Sequence, residues 1–386
     1  MRITLQRQIP DDPALQRQWN NLVQQMEPPE VFYTYEWACA VQAAYGESLQ
    51  PLLFLGHEGD DLVAVAALAT DGAGRVTSFL AGTTADYCDF VSRRKDRAEF
   101  VAGALQKLKE LKLRDLILAN LPADSETVAA LRTAAEEHRF HVYMRPAYVC
   151  AQVELGQGEG RQGLKTSLQG KKKLRHYLRA MEREGPVTVK HLHSPDEISG
   201  TLPRFVSAHV VRFRAMGRVS NLEKPERQRF LAELAKRFAG TDTVTLSEMS
   251  VGDRAMAWNY GFQFQGSWFW YMPTFDTRDE TNSPGYCLLA QIVIEACGRP
   301  EMRVVDLGLG AEGYKERFGN SSRQTLYTTL TLSRARHWRE VARYRAATAI
   351  KKSPRLDTAI RGVRAALQRP AGGDKGKDSK AQVEQV

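Results

Sequence analysis

The part of the chain that decides the fold lies between residues 268 and 315. It reads WFWYMPTFD at 268–276, SPG at 283–285, DLGLG at 306–310 and YK at 314–315. The aromatic segment is typical of a buried strand. Ser followed by Pro and Gly is typical of a helix start, because Ser caps free N–H groups and Pro fits the first turn. This order predicts a strand, a helix, a second strand and a glycine-rich turn.

The same succession of elements occurs twice along the chain. In the first half we predict strands at 2–7, 51–56, 62–69, 76–80, 115–118 and 140–149, and helices at 13–25, 35–45, 96–111 and 124–139. In the second half we predict strands at 151–155, 187–193, 244–249, 254–264, 268–274, 303–307 and 324–332, and helices at 163–184, 196–216, 225–238, from 284 onward and at 314–317. Hydrophobic periods of two and of 3.6 residues separate the strands from the helices. The repetition indicates a duplicated α/β unit.

Length and composition agree with two domains. The chain has 386 residues, and single cores stop growing at about 250 to 300. A hydrophobic content of 43% with 26% charged residues is that of a globular protein. The first residues lack the apolar stretch of a signal peptide, and no run of about 18 apolar residues occurs, so we expect a cytoplasmic protein. The five cysteines have no metal-ligand spacing, so no metal is expected.

The net charge of +9 is concentrated near the end of the chain. Residues 334–370 hold eleven Arg and Lys against Glu340 and Asp357, so the rest is close to neutral. An apolar stripe at helical spacing follows in this segment, at Leu356, Ile360, Val363 and Leu367. We therefore predict four regions: domains at 1–150 and 151–333, a basic amphipathic helical tail at 334–370, and a disordered end at 371–386.

Several motifs together resemble one known family. They are WYMPTFD at 270–276, SPG at 283–285, LL at 288–289, IEACG at 294–298, DLGLG at 306–310, YK at 314–315, KKKLR at 171–175 with Gly185, HVVR at 209–212 with Gly217, and Trp19, Phe32, Trp37 and Asp86-Tyr87. Over residues 15 to 330 the chain resembles the GNAT-superfamily acetyltransferases of the CelD type, named for cellulose biosynthesis and related to Fem-type peptidyltransferases. The resemblance implies two tandem GNAT-like domains, each a mixed sheet flanked by helices, with the working site in the second.

The DLGLG turn also imitates the first motif of methyltransferases that use S-adenosylmethionine. With Gly313 it completes a GxGxxG pattern. In dinucleotide-type folds that turn opens the domain and leads into a long crossover helix and further parallel strands. Here only the short helix 314–317 and one strand follow. The position of the motif therefore argues against such a site.

The resemblance implies an acyl-CoA donor, acetyl-CoA or a longer acyl-CoA, and no bound cofactor. Its phosphates are expected at Ser283, Pro284 and Gly285, because a helix N-terminus with free N–H groups binds anions. The arginine- and glycine-rich phosphate loop of the family is missing, and Asp279 and Glu280 stand in its place. An ordinary capped helix is the alternative. Tyr271 is a further candidate for donor binding, with core packing as its alternative.

Acyl transfer requires a base and donors for the oxyanion that forms. The candidate catalytic residues are Asp306, Lys315, His209 and Tyr314. Asp306 ends an apolar strand, where a carboxylate is costly unless it is paired or used. A structural ion pair between Asp306 and Lys315 is the alternative for these two, and a solvated helix face is the alternative for His209.

The acceptor is expected to be anionic or linked to a sugar. Arg212 lies one helical turn from His209, and Lys171, Lys172 and Arg175 lie opposite an apolar helix stripe, so these four are candidate substrate-binding residues. A plain solvated face is the alternative for the lysines. The basic tail suggests peripheral contact with an anionic membrane, and docking on the core is its alternative. No nucleic acid is expected, because the tail lacks interleaved aromatic residues.

Three functions remain open from the sequence. The leading one is transfer of an acyl group from acyl-CoA to an amine or hydroxyl in exopolysaccharide or cell-envelope biosynthesis. The second is a Fem-like transfer from aminoacyl-tRNA, which the missing helical arm of typical Fem proteins disfavours. The third is a non-catalytic partner of a polysaccharide synthase that keeps the fold alone.

Overall fold

The structure, a computed structural model, describes residues 1–310 and 312–352, with the backbone alone for the last three. Its strands are β1 Arg2–Gln6, β2 Leu49–Glu58, β3 Asp61–Asp71, β4 Thr77–Phe79, β5 Val91–Ser92, β6 Asp115–Pro122, β7 His141–Glu154, β8 Val187–Leu192, β9 Val244–Val251, β10 Arg254–Phe264, β11 Ser267–Phe275, β12 Val304–Asp306 and β13 Ser321–Thr331. Its α-helices are α1 Pro13–Gln24, α2 Tyr35–Tyr45, α3 Arg97–Glu110, α4 Thr127–His138, α5 Gly158–Gly170, α6 Lys172–Glu182, α7 Pro195–Ala215, α8 Pro225–Arg237, α9 Pro284–Cys297 and α10 Arg334–Lys352.

One mixed sheet runs through both halves of the protein. Its order is β1-β2-β3-β4-β6-β13-β7-β12-β11-β10-β9-β8, with β5 beside β3. The central strands β7 and β13 are antiparallel, and the strands on their two sides repeat the same order. The tandem α/β architecture predicted from the sequence is therefore present. The last strand of each half pairs with a strand of the other half: β7 pairs with β12, and β13 pairs with β6. This exchange makes the sheet continuous.

Two element predictions are wrong in detail. The strands expected at 140–149 and 151–155 are one strand, β7, because it pairs with β13 along its length and with β12 at its end. A division at residue 150 therefore falls inside a strand. The helix expected at 163–184 is two helices, α5 and α6, because Lys171 has extended backbone angles (φ −60°, ψ 115°) between them.

The hairpin between β10 and β11 follows from its turn residues. Gln265 and Gly266 both have positive φ (46° and 82°), as a two-residue turn of the favoured hairpin type requires. A Cβ at residue 266 would also lie 2.9 Å from the Glu301 carbonyl oxygen, so glycine is needed for packing as well. The hairpin directs β11 toward the centre of the molecule.

Aromatic side chains join the two halves on one face of the sheet. The Phe32 ring lies 5.2 Å from that of Phe269, and the Trp37 ring lies 5.1 Å from that of Phe262. These residues belong to one buried cluster shared by both halves. A second cluster lies under α5, α6 and α9 in the C-terminal half. Because such cores are close-packed, the groups they support hold fixed positions.

The first helix of the basic tail, α10, packs against β7 and β13. Arg336 pairs with Asp115 at 2.7 Å, the Tyr344 ring lies 6.1 Å from the Tyr143 ring, and Val341 is buried. Trp338 remains 54% exposed. The stripe at residues 356–367 and the segment 371–386 lie outside the described residues. Within the described part of the chain, no helix combines the length and apolarity needed to cross a membrane.

Candidate active site

A cleft of about 1080 Å³ opens where the two halves meet. Its walls come from the segment 82–86, from β7 and β13, from α7 with the loop after it, and from α10. Such a volume is at the upper end for small-molecule sites, which run from roughly 300 to 1,000 Å³. The cleft can therefore hold an acceptor larger than a simple metabolite.

The floor of the cleft contains a gap between two parallel strands. β11 pairs with β12 only from Ser267 to Phe269, opposite Val304 to Asp306. β11 then continues to Phe275, whereas β12 ends. Beyond this point the edge of β11 is unpaired on that side, and we call the gap between the two strands the V-shaped opening.

The matching position in the N-terminal half is filled by the protein itself. β4 pairs with β6 only at Thr77 and Ser78, and the strands then separate. There the Asn120 side chain donates to the Ala85 carbonyl oxygen at 2.9 Å, and the Cys88 N–H donates to the Asn120 carbonyl oxygen at 2.9 Å. The segment that closes this gap carries Asp86 into the cleft.

Asp306 lies behind the cleft floor with its carboxylate fully engaged. Its Oδ2 accepts hydrogen bonds from the Tyr87 hydroxyl at 2.8 Å and from the Gln152 amide at 2.7 Å. Its Oδ1 accepts from the Gly308 N–H at 2.7 Å. The residue is buried and does not line the cleft. These bonds fix the turn after β12.

Asp86 is a buried carboxyl group that faces the cleft. Its side chain is 8% exposed, and burial together with the negative charge of Asp306 raises its pKa to about 7. The positive charges of Lys315 and Arg227 oppose that rise. Gly308 allows the close approach, because a Cβ there would lie 2.6 Å from Oδ2 of Asp86. Asp86 can therefore exchange a proton near neutral pH.

Lys315 supports the same turn from below. Its Nζ donates to the Leu309 carbonyl oxygen at 2.6 Å and to that of Gly308 at 3.4 Å, and it pairs with Glu312 at 2.8 Å. The lysine is buried, and Glu312 is half exposed on the cleft wall. Asp306 and Lys315 form no direct ion pair, so the structural pair considered from the sequence is not present. Both residues instead contact the turn between them: Asp306 accepts from the Gly308 N–H, and Lys315 donates to the Leu309 carbonyl oxygen.

Tyr314 presents a free hydroxyl hydrogen to the cleft. Its oxygen accepts a hydrogen bond from the Trp270 indole N–H at 3.1 Å. Burial, followed by the charge of Glu312, raises the pKa of its hydroxyl, so it stays protonated at neutral pH. Because the indole occupies an acceptor position on the oxygen, the hydroxyl remains available to donate to a ligand.

Tyr271 and Arg227 tie the two halves together at the cleft wall. The Tyr271 hydroxyl donates to the Thr84 carbonyl oxygen and accepts from Nη2 of Arg227 at 2.5 Å. This hydroxyl therefore both donates and accepts a hydrogen bond within the protein. Tyr271 was predicted to bind the donor, and its hydroxyl forms a bridge between the halves.

His209 lines the cleft as a neutral side chain. Its Nδ1 lies 2.9 Å from the Ser220 hydroxyl, and its ring stacks on Phe213 at 4.3 Å. Burial lowers its pKa to about 3, with help from the charges of Arg212 and Arg227. Arg212 donates to the Pro273 carbonyl oxygen at 3.2 Å and lies over the Phe275 ring. An imidazole with so low a pKa is a weak base.

The start of α9 lies apart from the cleft. Ser283 takes a left-handed conformation (φ 47°) before Pro284 and makes no side-chain cap. The predicted Ser cap is therefore wrong in its geometry. A Cβ on Gly285 would lie 3.2 Å from the Phe275 ring, so this glycine serves packing. Asp279 is paired with Arg254, which offsets part of the negative charge beside this helix start.

Helix α6 and Lys171, the residue before it, lie beside the start of α9. Lys171 donates to the Arg317 carbonyl oxygen at 3.3 Å, and Lys173 lies over the Tyr177 ring at 5.5 Å. Lys172 and Arg175 are exposed. None of these four basic side chains lines the cleft. The candidates for acceptor binding are therefore split, with Arg212 in the cleft and Lys171, Lys172 and Arg175 outside it.

The structure thus gathers His209, Arg212, Tyr271 and Tyr314 around the cleft, with Asp306 and Lys315 behind its floor. Asp86 and Arg227 also line the cleft but were not among the predicted site residues. Asp86 was visible only as part of the family resemblance. Arg227 gave no signal, because a basic residue in the first turn of a helix is ordinarily exposed.

A family model described as an acetyltransferase (GNAT) domain matches residues 169–316. This match runs from the end of α5 to Glu316 and includes the V-shaped opening and Tyr314. No curated protein matches the chain. The matched part of the C-terminal half is therefore similar to GNAT acetyltransferase domains, and the N-terminal half repeats its strand order.

Solved structures with the same fold extend the comparison to both halves. FemX matches with 9% identity over 82% of this chain and 95% of its own, at a TM-score of 0.58. A conserved protein of unknown function from Bacteroides thetaiotaomicron matches with 15% identity over 86% and 100%, at 0.54. The C-terminal domain of a putative lysylphosphatidylglycerol synthetase from Agrobacterium fabrum matches with 10% identity over 83% and 91%, at 0.52. At these identities the likeness concerns the fold.

Proposed function

We propose that this protein is an acyltransferase that moves an acyl group from acyl-CoA to an amine or hydroxyl of an acceptor bound in the cleft. The observation that carries the proposal is Asp86, a buried carboxyl with a pKa near 7 in a cleft between the halves. A general base is most effective when its pKa lies near the working pH. Tyr314, with its free O–H, lines the same cleft.

The acyl-CoA donor is assigned to the α9 side of the V-shaped opening. Helix N-termini favour phosphate. Lys173 on α6 adds positive charge near Ser283, since both contact Tyr177, and Lys171 lies just before α6 over the Phe318 ring. The pantetheine then extends past the edge of β11 toward Tyr314. The GNAT family match supports this donor, since GNAT domains generally use acyl-CoA.

In the proposed reaction Asp86 and Tyr314 transfer protons, and Asp306 and Lys315 position the turn beside Asp86. The acceptor nitrogen or oxygen attacks the thioester carbonyl carbon, and Asp86 takes the proton that the acceptor loses. The carbon–sulfur bond breaks, and Tyr314 gives its hydroxyl proton to the departing sulfur and recovers one from solvent. Asp306 and Lys315 do not touch substrate; they are positioning residues that hold the turn 307–310 against Asp86.

The acceptor is proposed to be a precursor of exopolysaccharide or the cell envelope. The resemblance to CelD-type proteins motivates this choice, and the size of the cleft suits a sugar-linked molecule. Cytoplasmic action is part of the same proposal, since such precursors are assembled at the inner face of the membrane. A Fem-like aminoacyl transfer is the second candidate, favoured by the fold shared with FemX.

Thermal unfolding with candidate donors tests the proposal. Acetyl-CoA or a longer acyl-CoA is expected to raise the Tm, because a ligand that binds only the folded state stabilises it. Gly285→Glu should abolish the rise by adding negative charge at the α9 start. Gly285→Ala is the steric control, since the Phe275 ring must give way in both variants. If charged tRNA raises the Tm and no acyl-CoA does up to about 1 mM, the second candidate replaces the first.

A turnover assay is the second test of the proposed function. Thiol release from acetyl-CoA in the presence of amino-sugar and sugar-phosphate acceptors should depend on Tyr314. Tyr314→Phe is expected to lower kcat, and Tyr35→Phe, whose hydroxyl donates to the Pro10 carbonyl oxygen and does not line the cleft, serves as the matched control. Donor binding without any acceptor-dependent thiol release across a broad acceptor panel would favour a non-catalytic protein that keeps the fold.

A further inference from the structure

Two arginines in the cleft wall have buried nitrogens that the protein leaves unused. Nε and Nη1 of Arg227, and Nε of Arg212, have no hydrogen-bond partner of standard geometry among the described residues, although the Tyr45 hydroxyl also lies beside the Arg227 guanidinium. Arg227 is 6% exposed, and its remaining nitrogen donates to the Tyr271 hydroxyl. Within the described part of the chain its guanidinium forms no salt bridge, and the groups that act on it are the hydroxyls of Tyr271 and Tyr45. Burying such a cation without an anion is costly, since each lost hydrogen bond leaves a desolvated donor.

We propose that Arg227, together with Arg212, forms a subsite for an oxyanion group of the acceptor, a carboxylate or a phosphate. Guanidinium groups carry only donors, and their planar array matches the oxygens of both groups. Both arginines line the cleft. The assignment of the anion to the acceptor rests on the proposed function; the subsite itself rests on the unused donors.

The surroundings favour an anion over a neutral ligand. Five arginines line the cleft, Arg145, Arg212, Arg218, Arg227 and Arg343, against three acids, Asp86, Glu312 and Glu340. A surplus of one sign in a cleft with low-dielectric walls concentrates ions of the other sign. The structure therefore offers both the local donors and the wider field that an anionic ligand needs.

The subsite lies close to the proposed base. The charge of Arg227 acts on Asp86 and on His209, and Arg227 is linked through Tyr271 to Thr84, two residues before Asp86. An anion held by Arg227 is thus placed beside the group that takes the proton. The acceptor class that fits carries its amine or hydroxyl a short distance from a carboxylate or phosphate, as amino acids and sugar phosphates do.

Thermal unfolding of the full chain with simple anions tests the subsite without any donor. Inorganic phosphate and acetate are compared with chloride at constant ionic strength. At least one of the two is expected to raise the Tm progressively with concentration, and Arg227→Gln should lose most of that rise. Arg229→Gln is the matched control, because Arg229 lies on the same helix, is exposed and does not line the cleft.

Each outcome has a defined meaning. A response to phosphate alone indicates a phosphorylated acceptor, and a response to acetate alone indicates a carboxylate. Absence of both responses in the wild type, or an equal loss in Arg227→Gln and Arg229→Gln, overturns the subsite. Should Arg227→Gln fail to fold, Arg227→Lys replaces it, since it keeps the charge and loses the planar array; a full response in Arg227→Lys would also count against the subsite. Acyl-CoA binding is measured separately, so failure here leaves the donor assignment intact.

Discussion

Tyr87 of the N-terminal half donates a hydrogen bond from its hydroxyl to Oδ2 of Asp306 in the C-terminal half, over 2.8 Å. Both residues are buried, and the same carboxylate holds the Gly308 N–H at 2.7 Å. The bond therefore couples the packing of the halves to the position of the turn that borders Asp86. The cleft is a product of both halves.

Removing the Tyr87 hydroxyl should destabilise the protein and loosen this coupling. Tyr87→Phe leaves a buried carboxylate oxygen with one donor fewer, which typically costs about 1–3 kcal/mol. Denaturant unfolding measures the loss. In a double-mutant cycle, Tyr87→Phe and Asp306→Asn should show a coupling energy above about 0.5 kcal/mol. Additive effects of the two substitutions would contradict the proposed link between the halves.

Asp86→Asn should remove most of the transferase activity while the protein stays folded. Loss of a general base typically costs a factor of about 10² to 10⁴ in rate. In the wild type, activity should rise with pH through about 7, since Asp86 must be deprotonated to accept a proton. A pH–rate profile of kcat/KM measures both effects. An Asp86→Asn enzyme with the wild-type profile would rule Asp86 out as the base.

The raised pKa of Asp86 also predicts how stability changes with pH. Burial and the charge of Asp306 raise the pKa from 3.8 to about 7, so the folded state binds this proton more tightly than the unfolded state. The protonated group therefore favours folding at low pH, and this contribution is lost as the pH rises from about 4 to 7. Asn cannot ionise. The Tm of Asp86→Asn, measured relative to wild type, should therefore increase across this window and be level above it.

Gly308→Ala should damage the site more than a neighbouring glycine substitution does. Gly308 has φ 69°, and a Cβ there would lie 2.6 Å from Oδ2 of Asp86. Backbone strain alone costs about 1–3 kcal/mol, and the carboxyl must also move. Gly313→Ala is the control, because no atom lies within 4 Å of its Cβ position. Equal activity in the two variants would show that the turn does not position Asp86.

The basic tail yields a prediction about membranes. Because α10 packs against β7 and β13, we expect the residues after Lys352 to be the part that reaches an anionic surface. Co-sedimentation with anionic and zwitterionic vesicles should show binding by the full chain to anionic vesicles alone, at about 1 kcal/mol per basic residue near the surface. A chain ending at Lys352 should bind less, and one ending at Ser333 least. Equal binding by all three would discard the recruitment proposal.

The sequence by itself determined the order of elements, their duplication and the GNAT-like class. These features depend on local periodicity and turn chemistry, as at Gln265-Gly266, where two positive φ values close a hairpin. Pro284 likewise marks the start of α9 correctly. Asp306 stood out as a charged residue that ends an apolar strand, and Lys315 was a candidate because it lies nearby; their role in the reaction stays a prediction.

Only the tertiary structure decided which groups meet in the cleft. Tyr87 and Asp306 are 219 residues apart, and they meet because β7 and β13 lie together at the centre of one sheet. The pKa of Asp86 and the unused donors of Arg227 follow from desolvation by segments distant in sequence. Strand pairing across halves and burial are long-range properties, and no local pattern encodes them.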